Sequence, residues 1–187
     1  MTDEEKERRL AHVQGIHDRI KPLSETHPHL KDFVDFLPEF NKETERGAAL
    51  AAAAFVDDLL QRTLEAFLLD TNTASSLLNG FNAPLGSFSA RIAATHAMGL
   101  ISDDERAECD LIRKVRNEFA HKVKASFEDE RVRGLCSALK YSVKPTPPAT
   151  IAPRGLFSTS AVSLILNLTN RPTYVSNEKL EVREWKY

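Results

Sequence analysis

Apolar residues recur at three- and four-residue spacing over most of the first 140 positions, a pattern that predicts helices and not strands. Residues 2–20 read as an amphipathic helix, capped by Thr2, with Leu10, Val13, Ile16 and Ile20 on one face. Pro22 and then His27-Pro28-His29 break the chain, and a short segment with Leu30, Phe33, Val34 and Leu37 leads to Pro38. The longest helix is expected over 44–69. There Ala48, Ala51, Ala52, Phe55, Leu59, Leu60, Leu64 and Phe67 cover most of the circumference at about 100° per residue, so the helix belongs at the centre, with neighbours on several sides. Its small residues from Gly47 to Ala54 allow close helix approach.

A short helical piece around Leu77 closes at Asn79-Gly80, and a further helix from Ser87 ends at Gly99, where glycine suits the position just past a helix end. Ser102 caps the next helix, and Glu105 three residues on completes a capping box. That helix reaches Phe119 or His121, and Glu128 to Leu139 supplies another. Lys144-Pro145-Thr146-Pro147-Pro148 through Pro153 reads as an extended linker, and Leu156 to Leu168 as one more helix. Residues 171–187 either pack back or pair as an edge strand; the pattern leaves both open. The expected fold is all-α, a compact multi-helix bundle. It divides into an arm and loop over 1–42, a core over 43–142, a proline-rich linker over 143–155, and a C-terminal helix and tail over 156–187 that pack on the core.

Composition narrows the function classes. Lys plus Arg number 25 against 27 Asp plus Glu, so the formal charge of −2 removes the whole-molecule field that drives indiscriminate nucleic-acid binding. Hydrophobic residues at 42% beside 28% charged residues describe a soluble globular chain. The opening run Asp3 to Arg9 lacks the apolar core of a signal peptide, and no window of 18 apolar residues exists, so a cytoplasmic protein without a membrane span is expected. Cys109 and Cys136 lie among apolar neighbours and read as small core residues. His27 and His29 beside Pro28 read as a solvated loop, and His96 has no carboxylate at ligand spacing, so neither metal nor cofactor is expected.

One position breaks a local rule. On the helix after Ser102, with Ile112 set at 0°, Leu111, Val115, Phe119, Cys109 and Ala120 define an apolar sector, and Arg116 falls inside it near about 40°. A buried arginine demands a partner. The leading explanation is structural, an ion pair with a carboxylate of a neighbouring helix or a stem that snorkels past the apolar face. The competing explanation notes the run Arg116-Asn117-x-x-x-His121: arginine can hold a phosphate bidentately, and histidine can give or take a proton near neutral pH. Arg116 and His121 lie about 140° apart in azimuth and about 7.5 Å in rise, so a twofold pairing of two such helices is needed to bring both pairs into one cleft. Around them Arg113, Lys114, Arg116, Lys122 and Lys124 are candidates for holding an anion.

The helix–turn–helix reading around Gly99 fails on register. Alignment on that glycine puts Glu105 and Glu108 where apolar side chains should be buried, and gives the reading surface Asp103, Asp104, Glu105 and Glu108, which phosphates would repel. Direct sequence-specific DNA binding is not expected.

The runs E-R-G-A-A-L (Glu45 to Leu50), L-G-S-F-S-A-R-I (Leu85 to Ile92), A-M-G-L-I (Ala97 to Ile101), L-I-R-K-V-R-N-E-F-A-H (Leu111 to His121) and S-F-E-D (Ser126 to Asp129) resemble the mannitol operon repressor (MtlR-like) family over about residues 45–140. F-S-T-S-A-V (Phe157 to Val162) and Arg171-Pro172-Thr173-Tyr174 look like its C-terminal portion, less specifically. The resemblance implies a small all-helical transcriptional repressor with no DNA-binding domain of its own, which acts by contacting another transcription regulator. The R-N-x-x-x-H core also resembles the signature of the wider HEPN superfamily, at Arg116, Asn117 and His121. That likeness implies either a metal-independent ribonuclease with a composite homodimer site or an inactive RNA-binding module. The favoured expectation is the regulator, with Arg116 structural.

Overall fold

The computed structural model describes residues 11, 14–15, 18–22, 24–143 and 151–186. Among them it holds eight α-helices with defined bounds, two 3-10 turns and no strand. The helices are α1 (Lys31–Lys42), α2 (Glu45–Phe67), α3 (Asn72–Leu78), α4 (Phe88–Ala97), α5 (Asp103–His121), α6 (Glu130–Ser137), α7 (Pro153–Thr169) and α8 (Arg171–Val175). Most of the helix expected over 2–20 lies outside the described residues, as does the core of the proline-rich stretch, 144–150.

α2 is the axis of the bundle. Ala48, Ala49, Ala52, Ala53, Val56, Leu59, Leu60 and Leu64 are all buried, because α1, α4, α5, α7 and α8 pack around it. Thr44 caps it by accepting the Gly47 N–H at 3.0 Å. α7 is the second central helix: Phe157, Ala161, Leu164, Ile165 and Leu168 are buried against α2, α5 and α6. Phe119 of α5, Phe127 of the following loop and Phe157 of α7 form a run of ring contacts, centroids 4.8 and 5.3 Å apart, which joins these elements at one end of the core.

Several boundaries depart from expectation. Pro22 does not close off helical structure: residue 22 itself and residues 24–26 are helical. Pro38 sits inside α1, which runs on to Lys42 because Phe33, Val34 and Phe40 bury one face against the bundle, a gain that outweighs one lost backbone hydrogen bond. α6 is shorter than Glu128 to Leu139, and α7 starts earlier, at Pro153, where proline suits the first helical position. Residues 171–186 make no strand: α8 and a 3-10 turn (Ser176–Glu178) lead to an extended tail, held to the end of α2 by Leu180 N–H donating to Phe67 C=O at 2.8 Å.

The α4–α5 corner follows the sequence closely. Gly99 adopts φ +72°, and the N–H groups of Gly99 and Leu100 return to the carbonyls of His96 and Thr95, a Schellman motif that reverses the chain. Ser102 and Glu105 then form the capping box that starts α5.

Candidate functional site

α5 carries Arg113, Lys114, Arg116, Asn117 and His121 and leads directly into Lys122 and Lys124, so its two halves decide what the site is. In the first half the acids are structural. Glu105, 7% exposed, accepts the Ser102 N–H at 2.8 Å and is held by Arg171 through bonds of 2.6 and 3.2 Å; Arg171 also donates to the Leu100 carbonyl. Glu108 has no solvent exposure and accepts the N–H groups of Lys140 at 3.0 Å and Tyr141 at 3.1 Å, together with the Ser160 hydroxyl. This corrects the expected acidic surface: Glu105 and Glu108 occupy buried positions because cations and donors from later in the chain satisfy them, and only Asp103 and Asp104 remain exposed.

The second half corrects Arg116. It is exposed, and its guanidinium donates to the side chain of Asn117 at 3.1 Å, with no carboxylate bound to it among the described residues. The reason is helix length. α4, ten residues or about 15 Å, flanks the beginning of α5, which has nineteen residues and spans about 28 Å. At Cys109 the flank is covered and the residue is buried; by Arg116 that flank faces water. Ile112, Val115 and Phe119 keep the narrower buried stripe.

His121 is exposed at the last turn, and Asn117 is half-buried. Of the anion candidates, Arg113 bonds Asp110 at 3.1 Å and Lys122 bonds Glu118 at 2.7 Å, while Lys114 and Lys124 are exposed. Glu118 also takes Arg131 at 2.5 Å; the Lys122 hydrogen bond and the nearby charges of Arg131 and Lys122 hold its carboxyl below the ordinary carboxylate range. The patch is therefore less cationic than the sequence count suggested, because Asp110 and Glu118 each neutralise part of it.

Arg46 was not anticipated. It reaches from the first turn of α2 to the C-terminus of α5 and donates to the carbonyls of Phe119, of Lys122 at 2.5 Å and of Val123 at 2.9 Å. It thus caps carbonyls that α5 leaves free and sets a positive charge at the negative end of that helix. A signal was available: a cation in the first turn of α2 opposes the helix dipole unless it serves a different helix. Beside it, Val123 stands 93% exposed.

Burial pushes the Cys136 thiol up to about 12 and raises Cys109 further, in keeping with small core residues and not nucleophiles. His96 Nε2 donates to the Asp103 carboxylate at 2.8 Å, and His27 meets Thr26 at 2.8 Å. Among the described residues no three His, Cys, Asp or Glu side chains converge as a metal site, and no helix is long and apolar enough to cross a membrane.

No family model and no curated protein sequence matches the chain. Among solved structures, a chain in the X-ray structure of the MtlR-HPr complex from Escherichia coli is similar to it, with a TM-score of 0.53 and 23% identity, covering 76% of this chain and 96% of that one. The likeness shows that the fold is MtlR-like.

Proposed function

We propose that this protein is a regulator of the mannitol-repressor kind that works through contact with another protein and does not read DNA itself. The observation that carries the reading is that the fold accounts for 96% of a chain solved inside a protein–protein complex, the MtlR-HPr complex. It agrees with a first half of α5 whose exposed positions include Asp103 and Asp104, which phosphates repel. It agrees also with Val123 and Lys124 held out to solvent on an anchored loop. The test is calorimetric titration of purified HPr into the protein, beside labelled duplexes in a mobility assay. A saturable complex with HPr and no duplex preference supports the reading; no complex with HPr together with a hundredfold preference for one duplex overturns it.

A second reading, a HEPN-type RNA-cleaving or RNA-binding homodimer, draws on a separate observation: Arg116 is exposed beside Asn117, with His121 exposed one turn further on. Incubation with labelled single-stranded RNA in chelator tests it. Cleavage abolished by both Arg116→Ala and His121→Ala supports an enzyme; intact RNA with no retained complex removes the reading.

A further inference from the structure

Between α4 and α5 lies an open groove of about 350 Å³, with Ile92 and Ala93 of α4 on one side and Arg106, Asp110 and Arg113 of α5 on the other. His96 stands at the end near the Gly99 turn. This size falls in the range of small-molecule sites. Even with the Ser89 hydroxyl counted as an acceptor, the groove holds more donors than acceptors. Each guanidinium carries five N–H donors, whereas Asp110, the one carboxylate of the lining, has two oxygens to share between both arginines. Arg113 takes one at 3.1 Å through Nη2 and 3.4 Å through Nε, and Arg106 approaches the other only to 3.5 Å through Nη1. The Nε of Arg106 is shielded from water and meets no acceptor among the described residues. A shielded donor without an acceptor is costly, and its ordinary remedy is an oxygen from elsewhere.

We propose that this groove binds a phosphate monoester, the phosphoryl group against Arg106 and Arg113 and the organic body over Ile92 and Ala93. A second carboxylate would repeat what Asp110 already supplies. A phosphoryl group brings three acceptor oxygens and a charge near −2, which meets the donors left over and the excess of two arginines over one aspartate. Arg106 lies seven residues before Arg113, about 10.5 Å along the helix, and both lean toward Asp110 between them, so one group seated over Asp110 is within reach of both. Arg106 is 44% exposed on its side chain, so its guanidinium has room to re-aim when a ligand is seated. The carboxylate of Asp110 opposes this ligand, and that gives the site a sign that can be measured. The site is separate from the α5 terminus and does not rest on the function proposed above.

The test titrates the full chain with phenyl phosphate, inorganic phosphate and benzoate in separate arms, followed by calorimetry and by backbone amide shifts. Phenyl phosphate is expected to saturate and to shift the amides of Ala93 and Arg106, with inorganic phosphate and benzoate weaker. Arg106→Gln and Arg113→Gln are each expected to lower affinity about tenfold or more. Asp110→Asn is expected to raise it several-fold, a gain that misfolding cannot produce. Lys122→Gln with Lys124→Gln should leave it unchanged. The proposal is overturned by the absence of saturable binding at millimolar phenyl phosphate, by affinity that Asp110→Asn leaves unchanged or lowers, or by loss in the lysine control. Benzoate as tight as phenyl phosphate overturns the phosphoryl assignment, and inorganic phosphate as tight overturns the role given to Ile92 and Ala93.

Discussion

Glu108 and Ser160 meet inside the core, carboxylate to hydroxyl, across 52 residues of chain. The same carboxylate takes the N–H groups of Lys140 and Tyr141, so α5, α7 and the segment after α6 are tied at one buried anion. A carboxylate fits here because all three neighbours donate.

Glu108→Gln keeps the shape but turns an amide NH₂ toward at least one of those donors. It is expected to destabilise the protein by about 2–4 kcal/mol, and Ser160→Ala by about 1–2 kcal/mol. Urea denaturation with a common m-value checks both. A loss under about 0.5 kcal/mol for Glu108→Gln would mean the carboxylate is not held by the donors seen around it.

Arg171→Gln leaves Glu105 almost fully buried with the Ser102 N–H as its one remaining partner among the described residues. Its cost is expected at about 3 kcal/mol, and the coupling with Glu105→Gln in a double-mutant cycle at about 1.5–3 kcal/mol. Additive effects would show that the two residues stabilise the fold separately.

Arg116→Ala is expected to change stability by less than about 0.5 kcal/mol, since the side chain is exposed and, among the described residues, bonds Asn117 alone. A cost near 3 kcal/mol in chemical denaturation would restore the buried ion pair that the sequence led us to expect.

Glu118 ties stability to acid. Its carboxyl is held below the ordinary range, so its contribution is complete above about pH 4.5 and is lost as the pH falls through the lowered folded value. Arg131→Gln should therefore lower the melting temperature at pH 7 and make a shrinking difference below about pH 4. A difference that stays constant across that window would exclude Glu118 as the partner through which Arg131 acts.

Any duplex binding at the α5 terminus should be weak and set by few charges. Of Arg113, Lys114, Arg116, Lys122 and Lys124, two are engaged by Asp110 and Glu118, so the slope of log affinity against log salt should not exceed about 3. A slope near 5 would show that those two pairs open on DNA.

Local chemistry was legible in the sequence and distant chemistry was not. The capping box of Ser102 and Glu105, the Gly99 turn and the all-round burial of α2 are written within a few neighbouring residues, and each stands where the pattern puts it. Glu105 and Glu108 looked like a surface because their partners arrive 66 and 52 residues later, and Arg46 went unnoticed because the carbonyls it serves lie 73 to 77 residues on. Arg116 was misplaced for a different reason: a helical wheel gives azimuth but not the length of the neighbour that covers it. At the α5 terminus the residue types were legible, but the ion pairs that reduce its charge required the structure.

Glu45 and Arg46 are adjacent, and they hold opposite ends of one loop: Arg46 takes the carbonyls around Lys122 and Val123, and Glu45 accepts the Phe127 N–H at 3.2 Å. The span that displays Val123 and Lys124 is thus pinned at both ends by a single peptide unit of the central helix. Its conformational entropy is spent during folding, so a partner that closes over Val123 gains the contact without having to order the loop. Loosening either pin should appear as a slower approach and a faster departure of that partner, while the rest of the surface stays unaltered.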